Sequence, residues 1–252
     1  MMNAEAYVEE VGEEFSYFQS SLKLIVYGYL RLKKSEQKYS RPSILAKAEF
    51  QSKNPGTQTK NPIEDYLRND LVCKFIAPNR NLFQLDSFIF QSGVEEFKDN
   101  IKVGILDIKV ISPFLTEDNV YYVFECKRLN RYAKMQDEYI KNGIIRFTSR
   151  QYYPETDMNI AGMIGFVEVD LEKSKRGLES IDNIVIGLKQ KIEKKYTATT
   201  YHNLEFYRLS DERFEEIADF EHSYRSEHFR DDNTQILIHH LLLDYYDILT
   251  SC

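Results

Sequence analysis

The sequence predicts an α/β fold: a central sheet covered on both faces. Residues 103–111 and 121–127 are short apolar runs rich in β-branched and aromatic residues, bounded by turn formers such as Pro113, Thr116, Asp118 and Asn119. These runs are nearly continuous rather than alternating, as expected of strands in a sheet covered on both faces. Segments of helical period lie before and after them. The 252 residues suffice for one sizeable domain, or a domain with appendages, and 18 Tyr and 16 Phe can fill a large core without Trp.

Residues 1–60 read as a helical extension and linker. Val8, Val11, Phe15, Phe18, Leu22, Ile25, Tyr29 and Leu32 recur at spacings of three and four, a heptad seam. Such a seam suits a homodimer or a partner chain. Leu24, Val26, Tyr27 and Leu30 broaden it near its end, which favours packing on its own domain. Lys33 and Lys34 suit a helix C-terminus. Turn formers follow (Arg41-Pro42-Ser43 and Asn54-Pro55-Gly56), with a short helix expected near 43–50.

At Asn61-Pro62-Ile63-Glu64-Asp65 a helix starts: Asn61 can cap, Pro62 suits the first position, and the acids suit the positive end of the dipole. Arg68 lies four residues beyond Glu64, a spacing that pairs charges. Residues 82–91 read as a strand, with Asp86 either a third acid near a site or a strand-edge residue. Ser92-Gly93 and Lys98-Asp99-Asn100 read as a loop or short helix. After strands 103–111 and 121–127, a helix is expected over 129–141, closed by Asn142-Gly143. Residues 161–170, with Gly162 and Gly165, form a further strand. Next come a helix over 180–195 and a strand over 204–209. A helix is expected over 234–249, with His239 and His240 as core or helix-surface residues, and His222 and His228 fall in a polar loop. The order within 61–170 is helix, three strands, helix, strand, with 171–252 as a helical and strand extension packed on it.

Side chains alternate along a strand, so Val123, Glu125 and Lys127 share one face, and Asp107 on the preceding strand can point at the same spot. Hard divalent cations favour carboxylate oxygens, so Asp107 and Glu125 together suit Mg²⁺, and Lys127 suits the negative charge of a phosphate. The plainer reading is a pair of strand-end carboxylates salt-bridged to a lysine. Acids within apolar strands are costly unless paired or bound to metal.

This arrangement resembles the PD-(D/E)xK nuclease superfamily, with its restriction-endonuclease-like αβββαβ core, a mixed central sheet flanked by helices. Its motif is an Asp on one strand and (Asp/Glu)-x-Lys on the next, matched here by Asp107, Glu125 and Lys127, with Glu64 as the helix acid. Leu106 stands where a Pro often precedes the Asp. The resemblance implies that core with added N-terminal and C-terminal helices. It also implies a Mg²⁺-dependent endonuclease (Mn²⁺ serving as well), with DNA favoured over RNA and a bacterial defence or restriction setting. Asp107, Glu125 and the Cys126 carbonyl would hold the metal, Lys127 would act at the nucleophile, and Glu64 would assist. Lys127→Ala or Asp107→Asn is then expected to abolish cleavage with the fold intact. Gln136 and Tyr139 depart from the Gln-x-x-x-Tyr spacing that some members carry on the following helix.

The net charge of −7 speaks against a general nucleic-acid binder. Between Lys127 and Arg150, however, Asp137 and Glu138 are the only acids. Arg128, Arg131, Lys134, Arg146 and Arg150 in that stretch are candidates for phosphate contacts, or for a solvated face. Arg146, Arg150, Tyr152 and Tyr153 also suit stacking and backbone contact, or the anchoring of a loop. No apolar run spans a bilayer, and the acidic start is no secretory signal. Three scattered cysteines (Cys73, Cys126 and Cys252) point to a reducing cytoplasm. No zinc set, P-loop or Rossmann fingerprint is present. The rival reading is a non-catalytic nucleic-acid-binding or interaction subunit that keeps the nuclease fold.

Overall fold

The computed structural model describes residues 4–52, 61–98, 101–111, 121–154, 158–168, 181–195 and 202–250. The first helix, α1 (Ala4–Lys34), buries the seam from Phe18 to Leu32 inside its own chain. The Phe18 ring stacks on Phe124 at 5.3 Å between centroids, and the Tyr29 hydroxyl donates to the Asp244 carbonyl at 2.9 Å. The broadened stripe thus decides in favour of intramolecular packing for this part of the seam. Val8 and Val11 lie outside the residues whose side chains are described.

A short strand, β1 (Tyr39–Ser40), leads into α2 (Arg41–Ser52), which contains the short helix expected near 43–50 and is slightly longer. Helix α3 (Pro62–Asp70) starts where Asn61-Pro62 predicts, although the Asn61 side chain makes no capping bond. The helix then continues through a π-turn, Leu71–Ile76, and a 3₁₀ turn, Ala77–Phe83. This pushes the expected 82–91 strand along the chain: β2 is Ile89–Lys98, running through Ser92-Gly93, and Asp86 sits exposed in the turn before it. Gly93 adopts φ +68, which lets the strand pass where a loop was expected.

Strand β3 (Ile101–Ile111) pairs antiparallel with β2 and with β4 (Tyr121–Leu129). Helix α4 (Ala133–Tyr139) is not ended by Asn142-Gly143. It runs through a π-turn, Ile140–Ile144, into α5 (Ile145–Thr148). Gly143 serves close packing: a Cβ there would lie 2.4 Å from Met163 Cε. Strand β5 (Ile160–Val167) is parallel to β4, and α6 (Ile181–Lys195) and β6 (His202–Phe206) follow.

The helix expected over 234–249 is a strand. After α7 (Glu215–Ala218) come β7 (Ser223–Phe229), β8 (Gln235–Asp244) and β9 (Leu249–Thr250). From Ile236 to Leu243 only His239 and His240 interrupt the apolar residues because β8 is covered on both faces, and such a run has no period that separates strand from helix. His239 packs toward α1, its ring 5.4 Å from Phe18, while His240 meets the Tyr139 hydroxyl of α4 at 3.0 Å. His228, expected in a polar loop, is buried within β7.

Among the described residues the main sheet has seven strands in the order β2-β3-β4-β5-β8-β7-β6, and β1 pairs with β9 beside it. The three strands β6, β7 and β8 therefore extend the central sheet, where a strand near β6, a polar loop at β7 and a helix at β8 were expected. From α3 to β5 the element order is helix, three strands, helix, strand. Among the described residues no helix is long and apolar enough to cross a membrane.

Candidate active site

The site lies where β3 and β4 part. Their ladder is regular from Ile111↔Tyr121 to Ile108↔Phe124, and the next pair would set Asp107 against Glu125. There, side chains satisfy the main chain instead. Asp107 Oδ2 accepts the Cys126 N–H at 2.8 Å, and the Tyr152 hydroxyl lies 2.9 Å from the Ile105 carbonyl. The fork is thus held open by a carboxylate and a phenol. Tyr152 can reach it because Tyr153, at φ 60, turns back and its hydroxyl takes the Val123 N–H at 2.7 Å.

Four oxygens converge on one point of this fork. Lys127 Nζ lies 2.5 Å from Glu125 Oε1, 2.7 Å from the Cys126 carbonyl, and 3.5 Å from both Asp107 Oδ2 and Glu64 Oε1. Helix α3 brings Glu64 in across the end of the sheet, where its Oε2 accepts the Arg128 N–H at 2.9 Å. Two guanidinium groups close the ring. Arg68 Nη1 lies 2.5 Å from Asp107 Oδ1 and 2.9 Å from Asp65, and Arg146 Nη1 lies 2.9 Å from Glu125 Oε1. Arg146 also donates to the Tyr152 hydroxyl at 2.5 Å, which in turn lies 2.6 Å from Glu125 Oε2.

All three acids are buried, and Glu125 fully so. Burial, with Asp107 close by, pushes the Glu125 carboxyl up to about 8, against the opposing pull of Lys127 and Arg146. Burial likewise raises Glu64. Burial pulls the Lys127 ammonium down, but Glu125, Asp107 and Glu64 outweigh it and hold the group charged well above its ordinary range. Arg68 is also raised: desolvation opposes its charge, and Asp107 leads the groups that favour it. The Cys126 thiol, buried on the other face of β4, is pushed far up and stays a thiol.

The residues expected at the site divide clearly. Asp107, Glu125, Lys127 and Glu64 meet, together with the Cys126 carbonyl and Arg146. Arg128 contributes its main-chain N–H, but its side chain is spent on Glu168, which Arg41 also holds. Arg150 pairs with Asp232 at 2.7 Å, away from the cluster. Arg131 lies by the Tyr132 ring, and Lys134 is exposed. Gln136 and Tyr139 are buried, Gln136 against Gly187 and Tyr139 on His240. Arg68, expected beside Glu64, holds Asp65 and Asp107 instead. The i,i+3 spacing to Asp65 was the visible signal for half of that role. Tyr152 was read as a surface stacker or loop anchor and sits on Glu125 instead.

The oxygens gathered here, carboxylate and carbonyl, are of the kind a hard cation takes. Among the described residues no three acidic, histidine or cysteine side chains alone are spaced to hold a metal. What converges is three carboxylates, two of them at 3.5 Å, and a main-chain carbonyl, gathered on an ammonium. The chain matches no family model, no curated protein and no solved structure.

Proposed function

We propose that this chain is a Mg²⁺-dependent nuclease with a restriction-endonuclease-like core, hydrolysing phosphodiester bonds in DNA. The observation that carries the reading is the convergence of Glu125, the Cys126 carbonyl, Asp107 and Glu64 on the Lys127 ammonium. The α3-β2-β3-β4-α4-β5 order supports it.

In this reading Asp107, Glu125 and the Cys126 carbonyl hold the metal. Bound there, it supplies Lewis acidity at the phosphate and a water of lowered pKa. Lys127 gives up its contact with Glu125 and turns its ammonium to the charge that develops on the phosphate oxygens. Before metal binds, Glu125, Asp107 and Glu64 hold it as a cation, ready to face that charge. Tyr152 and Arg146 fix the Glu125 carboxylate, and Glu64, tied to the Arg128 N–H, is placed to orient the attacking water.

One observation favours a second reading, a non-catalytic subunit with this fold: Asp107, Glu125 and Glu64 are each already matched by a cation or N–H donor. Two experiments separate the readings. Plasmid, linear and single-stranded DNA and RNA are incubated with Mg²⁺, Mn²⁺ or EDTA, and wild type and Asp107→Asn are titrated with Mn²⁺ by calorimetry. Metal-dependent cutting and Mn²⁺ binding, both lost in Asp107→Asn, are expected. A chain that neither cuts nor binds Mn²⁺ is a scaffold.

A further inference from the structure

We propose that the cavity between α2 and α3 is the entry for the nucleic-acid strand, and that Arg68, on its inner wall, exchanges Asp107 for a substrate phosphate. The inference rests on the nuclease reading and gives that site its approach.

The cavity measures about 470 Å³, within the range of pockets that take small ligands, and Lys47, Tyr66, Arg68 and Asn69 are among the residues lining it. Its furniture suits a nucleotide. Tyr66 presents a phenol ring with the Lys47 ammonium 5.7 Å above its centroid, an aromatic face beside a cation. Lys47 is exposed on α2. The two acids of the wall are already engaged: Asp65 with Arg68 at 2.9 Å, and Asp70 with Lys74 at 2.6 Å and the Tyr39 hydroxyl at 2.5 Å. They therefore set little repulsion against a phosphate.

Arg68 joins the cavity to the carboxylates. It lines the cavity, yet its Nη1 is 2.5 Å from Asp107 and its Nε donates to Asn69 Oδ1 at 3.2 Å. A divalent cation on Asp107 would meet this guanidinium at close range, and like charges at that distance in a buried site repel strongly. The fork behind is filled by the Lys127 ammonium and the Tyr152 hydroxyl, whereas the cavity in front offers space. A planar guanidinium displaced from a carboxylate toward that space is suited to take a phosphate in two hydrogen bonds. The exchange keeps charges paired at both stages: Arg68 with Asp107 before metal, Arg68 with phosphate after it.

The test measures metal and nucleic acid separately. Wild type, Lys47→Glu, Arg68→Gln and Arg68→Lys are titrated with Mn²⁺ by calorimetry. Each is then titrated, with Ca²⁺ present, with a fluorescein-labelled single-stranded DNA and its duplex by anisotropy. Lys194→Glu, on the exposed last turn of α6, is the surface-charge control. Lys47→Glu should weaken DNA binding about tenfold and leave Mn²⁺ binding unchanged. Arg68→Gln should weaken DNA binding and tighten Mn²⁺ about tenfold, because the competing cation is gone. Lys47→Glu, which leaves the buried cluster intact, keeps the test valid if Arg68→Gln does not fold. DNA binding by Lys47→Glu equal to that of Lys194→Glu, with Mn²⁺ binding intact, overturns the entry route while the nuclease reading survives. Absence of both Mn²⁺ and DNA binding in wild type overturns both.

Discussion

The Asp107 carboxylate accepts the Cys126 main-chain N–H at 2.8 Å, so a side chain bonds β3 to β4 where the ladder between them has stopped. Oδ2 of Asp107 thus ties the two strands and also faces Lys127 Nζ at 3.5 Å, while Oδ1 is held by Arg68. Asp107→Asn keeps an amide oxygen for the Cys126 N–H, and Arg68 retains Asp65 at 2.9 Å. The fold should hold, with Tm within a few degrees of wild type by calorimetry. Mn²⁺ affinity should fall at least about 100-fold, beyond what loss of a supporting group costs. Normal Mn²⁺ binding by this variant would remove Asp107 from the metal site.

Lys127→Ala should not be a silent structural change, contrary to the sequence expectation of an intact fold. The ammonium sits within 3.5 Å of Glu125, Asp107 and Glu64, all buried. Removing one partner of a buried charge network costs about 3–5 kcal/mol. A divalent cation can take the vacated place. Mn²⁺ should therefore raise the Tm of Lys127→Ala more than that of wild type in a thermal-shift series. An equal Tm response in the two proteins would show that the ammonium does not occupy the cation's position.

Metal binding should depend on pH through Glu125, whose carboxyl is pushed up to about 8 by burial and by Asp107. The metal needs the carboxylate, so below that pH one proton must leave for each ion bound. The Mn²⁺ association constant should fall about tenfold per pH unit from 7.5 to 6. Calorimetry in buffers of different ionisation enthalpy should count about one proton released at pH 7. A flat profile would place Glu125 outside the ligand set.

Much of this site was legible, and the limits have physical causes. Strands β3 and β4 were readable because β-branched runs between turn formers have few alternatives, and alternation put Glu125 and Lys127 on one face. The partners that neutralise them were not readable: Arg68 comes from α3, Arg146 from α5 and Tyr152 from the turn after it, and no local spacing links those to Glu125 or Asp107. Strand β8 was misread because full burial erases the period that separates a strand from a helix. Gly143 was misread as a helix stop because its role is a long-range contact with Met163.

Acid should unfold this protein early, through three buried imidazoles. Burial lowers His228 and His239 to about 4, and burial lowers His240 further, aided by its two histidine neighbours. Each is neutral in the folded chain and binds a proton in the unfolded one below about 6.5, so stability is present above that pH and is lost as pH falls toward 4. Each contributes about 1.4 kcal/mol per pH unit in that window. The raised carboxyls of Glu125 and Glu64 act in the opposite sense, losing stability as pH rises, and are two groups against three. Urea midpoints measured at pH 7, 6 and 5 should fall in that order. His239 isolates the effect: among the described residues its ring nitrogens have no hydrogen-bond partner, and its ring lies between Phe18 and Tyr207. His239→Leu should therefore flatten the pH slope by one proton without weakening the fold at pH 7, and an unchanged slope would locate the acid lability elsewhere.

A side chain at Gly162 should destabilise the fold. A Cβ there would lie 2.0 Å from Phe124 Cδ1, and that ring cannot withdraw because it stacks on Phe18 of α1 at 5.3 Å. Phe124 stands one residue before Glu125 on β4, so any shift of the ring moves the strand that carries the carboxylate. Overpacking of this kind costs about 1–3 kcal/mol. Gly162→Ala should lower the urea midpoint, and weaken Mn²⁺ binding as well if β4 moves. The double variant Gly162→Ala with Phe124→Leu should recover part of the midpoint by returning the volume. Failure of the second change to recover any stability would show that the clash is relieved elsewhere and that the α1-to-β4 contact does not hold the site in place.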